Sequence, residues 1–282
     1  MNRIIEGDNL AILESLPAGS VGLAYLDPPF NTGESRVMER VRVVKGEDGQ
    51  RLGYGGNRYR SETVSNHTYA DDFDDFPAFL MPRLDAIWRL LADDGSLFVH
   101  LDAREVHYIK VLCDQHFGRK RFMNEIIWSY DYGGRTKDRW SSKHDTILWY
   151  VKDPKRYVYN YDEIDRIPYM APRLVGEEKA ARGKTPTDVW WNTIVPTTGK
   201  ERTGYPTQKP LAILNRIIRV HSREGELVLD PFGGSGTTAE AAARHGRRFL
   251  TIDQNPAAIA IMAKRLAFAG PALEQALEPS PI

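Results

Sequence analysis

The sequence predicts an α/β fold, doubly wound around a mainly parallel sheet. Three observations carry this expectation. Short apolar runs alternate with stretches of helical spacing at both ends of the chain. Two of those runs, Val21 to Leu26 and Leu227 to Leu229, stop at an aspartate followed by proline, Asp27-Pro28-Pro29 and Asp230-Pro231. The 282 residues are enough for one large domain, or one domain with an inserted lobe.

Arg3 to Glu6 reads as a short strand, Leu10 to Leu16 as a helix, and Val21 to Leu26 as a buried strand. Over Phe76 to Leu91, the residues Phe79, Leu80, Leu84, Ile87, Leu90 and Leu91 fall at helical spacing. The turn "DDGS" then leads into a strand, Leu97 to Leu101, and Arg104 to Phe117 reads as a second helix. "NEIIWSY" and "DTILWYV" read as two further strands. Leu211 to His221 follows as a helix, Leu227 to Leu229 as a strand, Thr237 to His245 as a helix and Arg248 to Ile252 as a strand. A last helix opens at Pro256, a residue suited to a first helical turn. Two regions break the rhythm: 31–70, rich in glycine and charge, and 152–204, with scattered aromatics, prolines and basic residues. Long irregular segments in a compact domain are usually functional or disordered. The expected organisation is a single domain over 1–282 carrying these two insertions.

Composition narrows the class. Apolar content of 41% and charged content of 27% are ordinary for a soluble globular chain. No apolar run reaches the roughly 18 residues of a membrane span, and the start, "MNRIIEGDNL", lacks the apolar region of a signal peptide. The single cysteine, Cys113, excludes an intrachain disulfide framework and Cys-rich zinc sites, and fits a reducing cytoplasm. Set in the helical pattern "KVLCDQHF", it reads as a packed core residue. Net charge is zero, so binding to nucleic acid would need local basic patches.

The most informative stretch is "LVLDPFGGSGTTAEAAARHGRRFLTIDQN". A strand ends at Asp230. A glycine turn, Phe232-Gly233-Gly234-Ser235-Gly236, opens a helix near Thr237, and a second strand ends at Asp253. Glycines let a cofactor lie against the turn backbone. An acid at the end of the next strand is placed for ribose hydroxyls. The spacing F-x-G-x-G is not the dinucleotide G-x-G-x-x-G, and no lysine follows Gly236 as in a P-loop. A nucleoside cofactor without phosphates suits it. The alternative is a plain strand–turn–helix with glycines for packing.

"LDPPF" together with "DPFGGSGTT" resembles the S-adenosylmethionine-dependent DNA amino-methyltransferases. The catalytic D-P-P-F comes first and the glycine motif roughly 200 residues later, an order similar to the permuted β class. "EGDNLAILESLP", "NEIIW", "HDTILWY" and "YPTQKPLAILNRII" also resemble this class, so the likeness covers most of the chain outside the two insertions. It implies a Rossmann-like methyltransferase sheet with inserted target-recognition segments, S-adenosyl-L-methionine as cofactor and double-stranded DNA as partner. It also implies a prokaryotic, nucleoid-associated protein, with a homodimer and a cognate restriction endonuclease as further candidate partners, and no membrane.

The resemblance gives Asp27 a chemical role. An exocyclic amine is a poor nucleophile because its lone pair is delocalised into the base. Asp27 and the carbonyl of Pro28 would accept its two N–H groups and stabilise the charge that develops during transfer. Pro28 and Pro29 would stiffen the turn, and Phe30 would stack on a base flipped out of the duplex. Methylation at carbon 5 of cytosine would instead need an activated cysteine, which Cys113 does not offer. By the same resemblance Asp8 is a cofactor or base contact, or else a helix cap. Thr207 and Lys209 would bind the cofactor's carboxylate, with Lys209 alternatively a solvated surface residue. Asp230, Phe232, Gly233, Gly234, Ser235, Gly236 and Thr237 would form the cofactor turn, and Asp253 the ribose ligand or a turn residue. His100 and His107 read as structural.

Residues 119–143 carry seven Lys/Arg against three acids, with Tyr130, Tyr132, Gly133 and Gly134 interleaved. Arg135, Lys137, Arg139 and Lys143 are candidate DNA contacts, or simply a solvated face. Within 152–204, Arg182 and Lys184 are candidates for target recognition, and the loop 36–60 is a second recognition candidate. The acidic "DDFDD" at 71–75 should face away from DNA. The expected reaction is methylation of adenine N6 in duplex DNA. Cytosine N4 is the alternative, since Asp at the first motif position leans towards adenine without deciding it. A non-catalytic DNA- or cofactor-binding subunit, and an enzyme acting on RNA or protein amide nitrogen, are the more distant readings.

Overall fold

The computed structural model describes residues 1–32, 36–45, 51–52, 58–69, 71–196 and 198–276. The chain runs β1 (Arg3–Glu6), α1 (Asn9–Ser15), β2 (Val21–Leu26), β3 (Arg36–Lys45), β4 (Arg51–Leu52), β5 (Arg58–Tyr69), α2 (Phe76–Leu90) and β6 (Leu91–Leu101). It continues with α3 (Val106–Cys113), β7 (Phe122–Ser129), β8 (His144–Val151), α4 (Glu177–Arg182) and β9 (Val189–Trp191). The last stretch holds α5 (Leu211–His221), β10 (Leu227–Asp230), α6 (Thr237–Arg244), β11 (Arg248–Asp253), α7 (Pro256–Arg265) and β12 (Ala272–Gln275).

Nine of these strands form one sheet in the order β12-β1-β11-β10-β2-β6-β8-β7-β9. Every neighbouring pair is parallel except the two made by β8, which runs against β6 and β7. The centre of the sheet is covered on both faces. β2 is buried at every position, as a strand between two helical layers requires, and reads as a continuous apolar run rather than an alternating one. α5 and α6 pack the core with Ile213, Leu214, Ile217, Ile218, Ala239, Ala241 and Ala242. The alanines of "AEAAAR" let these helices approach closely.

Sheet order positions the functional ends. β10 pairs directly with β2, Leu229 opposite Ala24, although 205 residues separate them in sequence. Chain connections leave this pair in opposite directions, through α6 to β11 on one side and to β6 on the other. That is the topological switch point of an open α/β sheet, where a crevice forms beyond the strands' carboxyl ends. Asp27 is the first residue past β2, and Asp230 is the last residue of β10.

By Cα packing the chain divides into two compact units, Met1–Phe30 with Asp75–Ile282, and Asn31–Asp74. The smaller unit corrects the reading of 31–70 as irregular. β3 and β5 pair antiparallel from Arg36↔Tyr69 to Lys45↔Tyr59, and β4 joins β5. Its glycine-rich stretches, 46–50 and 53–57 of the second recognition loop, lie outside the described residues. Within this unit the buried Asp71 accepts from the Asn31 N–H and the Thr32 hydroxyl, so one acid of "DDFDD" is structural. Asp75 caps α2 through the Ala78 N–H. In the larger unit, 152–204 is less irregular than expected: α4 forms and β9 adds the sheet's ninth strand. The predicted 104–117 helix ends at Cys113 and gives way to a π turn over Asp114–Gly118. Cys113 is fully buried, and burial pushes its thiol up to about 12. Among the described residues, no helix is long and apolar enough to cross a membrane.

Gly233 illustrates how tightly the turn after β10 is packed. A Cβ there would lie 2.3 Å from Thr251 Oγ1 and 2.7 Å from Met262 Sδ, both on fully buried residues of β11 and α7. Gly233→Ala should therefore destabilise the protein by about 1–3 kcal/mol through overpacking, read as a lowered urea midpoint at unchanged slope. A midpoint equal to wild type would show that the strand and helix yield freely.

Candidate active site

Three carboxylates meet at the carboxyl ends of three adjacent strands: Asp27 after β2, Asp230 ending β10 and Asp253 ending β11. Asp230 points inward and is buried, accepting from the Phe232 N–H at 3.1 Å and from the Thr238 side chain. Burial pushes its carboxyl up to about 7 against those hydrogen bonds, and the charges of Asp27 and Asp253 push the same way. Asp253 accepts from the Gly234 N–H and the Asn255 N–H, each at 2.8 Å. Burial raises it too, against those N–H groups. A third N–H, that of Gln254, also reaches its carboxylate.

The glycine turn is fixed from beneath. Gly234 has φ +49° and Gly236 φ +77°, the left-handed region that favours glycine, and the ring of Tyr205 lies over Gly234, 3.2 Å from where a Cβ would stand. Arg265 of α7 donates to the Ser235 carbonyl at 3.1 Å and to Thr237 Oγ1 at 2.9 Å, and pairs with Glu240 of α6. This ion pair is only 6% and 10% exposed. Neither partner was singled out from sequence. Phe232 packs against Phe79 of α2 with the rings tilted at 55°. Asn9 is buried, donates to the Pro231 carbonyl at 2.8 Å, and accepts from Arg83 at 2.6 Å. Asp8 caps α1 through the Leu10 and Ala11 N–H groups and pairs with Arg83, so the cap expected of it forms.

Around Asp27 the structure corrects two readings. Lys209 is not a solvated surface residue. Its side chain is 11% exposed, its ammonium lies 2.6 Å from both Asp27 oxygens, and it sits 4.8 Å from the centre of the Phe30 ring. Thr207 is half-buried in the same loop. His100 is more than a packing residue. It is wholly buried, 4.0 Å from Asp27, with its ring 5.7 Å from that of Phe30. Its Nδ1 meets the Tyr25 hydroxyl at 2.6 Å, and its Nε2 donates to Asp145 at 3.2 Å. Tyr130 completes the network by donating to Asp145 at 3.0 Å. Burial alone would raise Asp145, but the hydrogen bonds of His100 and Tyr130 and the charge of Lys209 hold it below the usual range. Pro28 is buried and Pro29 half-buried, so the turn that carries Asp27 is held by packing as well as by its fixed φ.

The basic loop 131–143 leaves the sheet at this same end, closed at its root by Tyr130 N–H to the Lys143 carbonyl. Two of its cations hold the loop itself: Lys143 donates to the Tyr132 and Gly134 carbonyls, and Arg135 pairs with Asp131 at 2.8 Å. Arg139 lies 3.9 Å from Asp138. Lys137 is exposed, and so is Trp140, at 98%. Arg182 is exposed at the end of α4, while the Lys184 backbone bridges to Ile167.

Comparison with known proteins places this geometry in context. The family model described as DNA methylase matches residues 21–264. The Type II methyltransferase M.HpaI of Haemophilus parainfluenzae is 31% identical over 265 residues, 94% of this chain and 74% of that protein. The DNA adenine methyltransferase YhdJ of Escherichia coli (strain K12) is 32% identical over 276 residues, 93% of this chain and 82% of that protein. Among solved structures, the M1.HpyAVI–SAM complex superposes with a TM-score of 0.60 at 21% identity, covering 94% of this chain and 99% of that one. The cytosine-N4-specific PvuII DNA methyltransferase gives 0.62 at 18% identity, covering 93% and 85%. These two likenesses show the fold.

The raised Asp230 carboxyl has a measurable consequence. Below about pH 4 both folded and unfolded chains hold its proton; between about 4 and 7 only the folded chain does. Stability should therefore fall as pH rises through that window, by up to about 4 kcal/mol from this group, and level off above it. Asp230→Asn keeps an acceptor but cannot ionise, so its denaturation midpoint should decline less between pH 4 and 7 than that of wild type. Parallel pH profiles would show that Asp230 ionises as an exposed aspartate does.

Proposed function

The chain belongs to the DNA methylase family, and on that footing we propose that it transfers a methyl group from S-adenosylmethionine to the N6 amine of adenine in duplex DNA. The observation that carries this reading is the adjacency of the Asp27-Pro28-Pro29-Phe30 turn and the glycine turn, side by side at the switch point. Adenine is favoured by the aspartate at position 27 and by the likeness to YhdJ, named a DNA adenine methyltransferase. The likeness to the cytosine-N4 enzyme is one of fold.

The residues fit the cofactor. Half-buried Gly234, with no side chain, leaves the turn backbone open to a nucleoside, Asp253 beside it would take the ribose hydroxyls, and Thr207 and Lys209 would take the amino-acid carboxylate. When bound, S-adenosylmethionine supplies an electrophilic methyl group. The chain's own residues prepare the acceptor. Asp27 accepts an amine N–H, the Pro28 carbonyl accepts the other, and both oppose delocalisation of the nitrogen lone pair while stabilising the charge it gains. Phe30 offers a face for the extruded base. His100, held between Tyr25 and Asp145, fixes the floor beneath Asp27 and Phe30. Lys137 and Arg139 on the rim, with Arg182 and Lys184 in 152–204, contact phosphates or bases of the duplex, and the loop 36–60 is a second recognition candidate. A cytoplasmic, nucleoid-associated location, a second copy of the chain and a cognate restriction endonuclease belong to the same reading.

Incubation with labelled S-adenosylmethionine and mixed-sequence DNA, followed by nucleoside mass spectrometry, tests it: N6-methyladenine is expected. N4-methylcytosine would reassign the base, and unlabelled DNA would overturn the reaction. Asp27→Ala should lower methyl transfer by about a hundredfold or more while cofactor binding survives, as loss of the amine contacts raises the barrier by about 3–4 kcal/mol. Transfer within about threefold of wild type would remove Asp27 from the chemistry.

A further inference from the structure

The ammonium of Lys209 occupies the place the proposed function gives to the target amine. It touches both oxygens of Asp27 at 2.6 Å and lies 4.8 Å from the Phe30 ring centre, the acceptor and the stacking face assigned to the base. While it stays there, it competes with a substrate amine for both Asp27 oxygens, and a fixed cation opposes the positive charge that must grow on the amine nitrogen. Catalysis therefore requires Lys209 to leave.

The other end of the residue shows where it can go. The Thr237 hydroxyl donates to the Lys209 carbonyl at 3.2 Å, and Thr237 is the first residue of α6, directly after the glycine turn. The Lys209 backbone is thus pinned to the cofactor turn while its flexible four-carbon stem reaches the catalytic acid. Asp27 and Asp145 draw the ammonium towards the base site. The acid at the turn, Asp253, is held instead by the Gly234 and Asn255 N–H groups.

We propose that Lys209 is an exchangeable plug: it seals Asp27 in the free enzyme and transfers to the carboxylate of the cofactor's amino-acid end when that end arrives, opening the base site. Base capture then follows cofactor binding. This rests on the S-adenosylmethionine reading above. Lys209 acts here as a positioning residue, through Asp27.

The test needs no DNA. S-adenosylhomocysteine carries the same carboxylate and no transferable methyl, and its affinity is measured by calorimetry for wild type, Asp27→Asn, Lys209→Met and the double variant, with Lys209→Gln as a second neutral replacement. Because Lys209 is shared between two anions, Asp27→Asn should tighten binding on the order of fivefold, the lower range of site-to-site coupling. In the Lys209→Met and Lys209→Gln backgrounds the same Asp27→Asn change should leave affinity unaltered. Equal tightening with and without the lysine would overturn the plug alone, since simple loss of a negative charge would then account for it. No change in either background would also overturn it. A folded wild type that fails to bind the compound would overturn the cofactor reading, and the plug with it.

Discussion

The parallel pairing of β2 with β10 is the contact on which the site depends. A few main-chain hydrogen bonds around Leu23, Ala24, Val228 and Leu229 set two turns side by side that the chain separates by about two hundred residues. Both strands are buried, so their register is specified by side-chain packing on both faces, and a slip of one residue would reverse every side chain. The flanking connections diverge there, to β11 on one side and to β6 on the other. Backbone geometry alone thus produces an open crevice with Asp27 on one wall and the glycine turn on the other.

Buried polar pairs then make each wall rigid. Beneath the glycine turn, Arg265 and Glu240 are almost wholly removed from water and reach Ser235 and Thr237. Such a pair gives little net stability over an apolar filling, yet removing one partner would leave an uncompensated charge at a cost of about 3–5 kcal/mol. Its value here is geometric, because it ties α6, α7 and the turn to one another. Beneath Asp27, the Tyr25–His100–Asp145–Tyr130 network serves similarly, joining β2, β6, β8 and the root of the basic loop. In both places a hydrogen-bonded layer lies directly behind a turn at the switch point.

Much of this was legible in the sequence because the signals were local. The apolar runs ending at Asp27, Asp230 and Asp253, the glycines between, and the helical period of Leu211–His221 each carry their structure within a few residues. What escaped depends on distant partners. His100 ends an apolar run and looks like core; only pairing of β6 with β8 brings Asp145 to it. Lys209 stands in a polar loop like any exposed lysine, and only the crevice sets it on Asp27. Arg265 sits in the last turn of α7, where a basic residue is expected for the helix dipole, so nothing marks it as buried. The smaller unit's strands were hidden differently: charged residues interleave with Val37, Val41 and Val43, and glycine-rich stretches on either side of β4 outweigh the alternation.

Under the proposed function, a chain of zero net charge must hold DNA through local basic groups. The crevice offers it little attraction, because Lys209 is already paired with Asp27. On that reading DNA phosphates are held at the rim, where Lys137 and Arg139 stand in a loop whose other cations, Arg135 and Lys143, are spent keeping it folded. A flipped base is neutral and offers N–H donors, so on the same reading it is the part of the duplex suited to enter. The proposed function thus sorts the nucleotide into two parts: phosphate stays at the basic edge, and the amine goes to the carboxylate that would activate it.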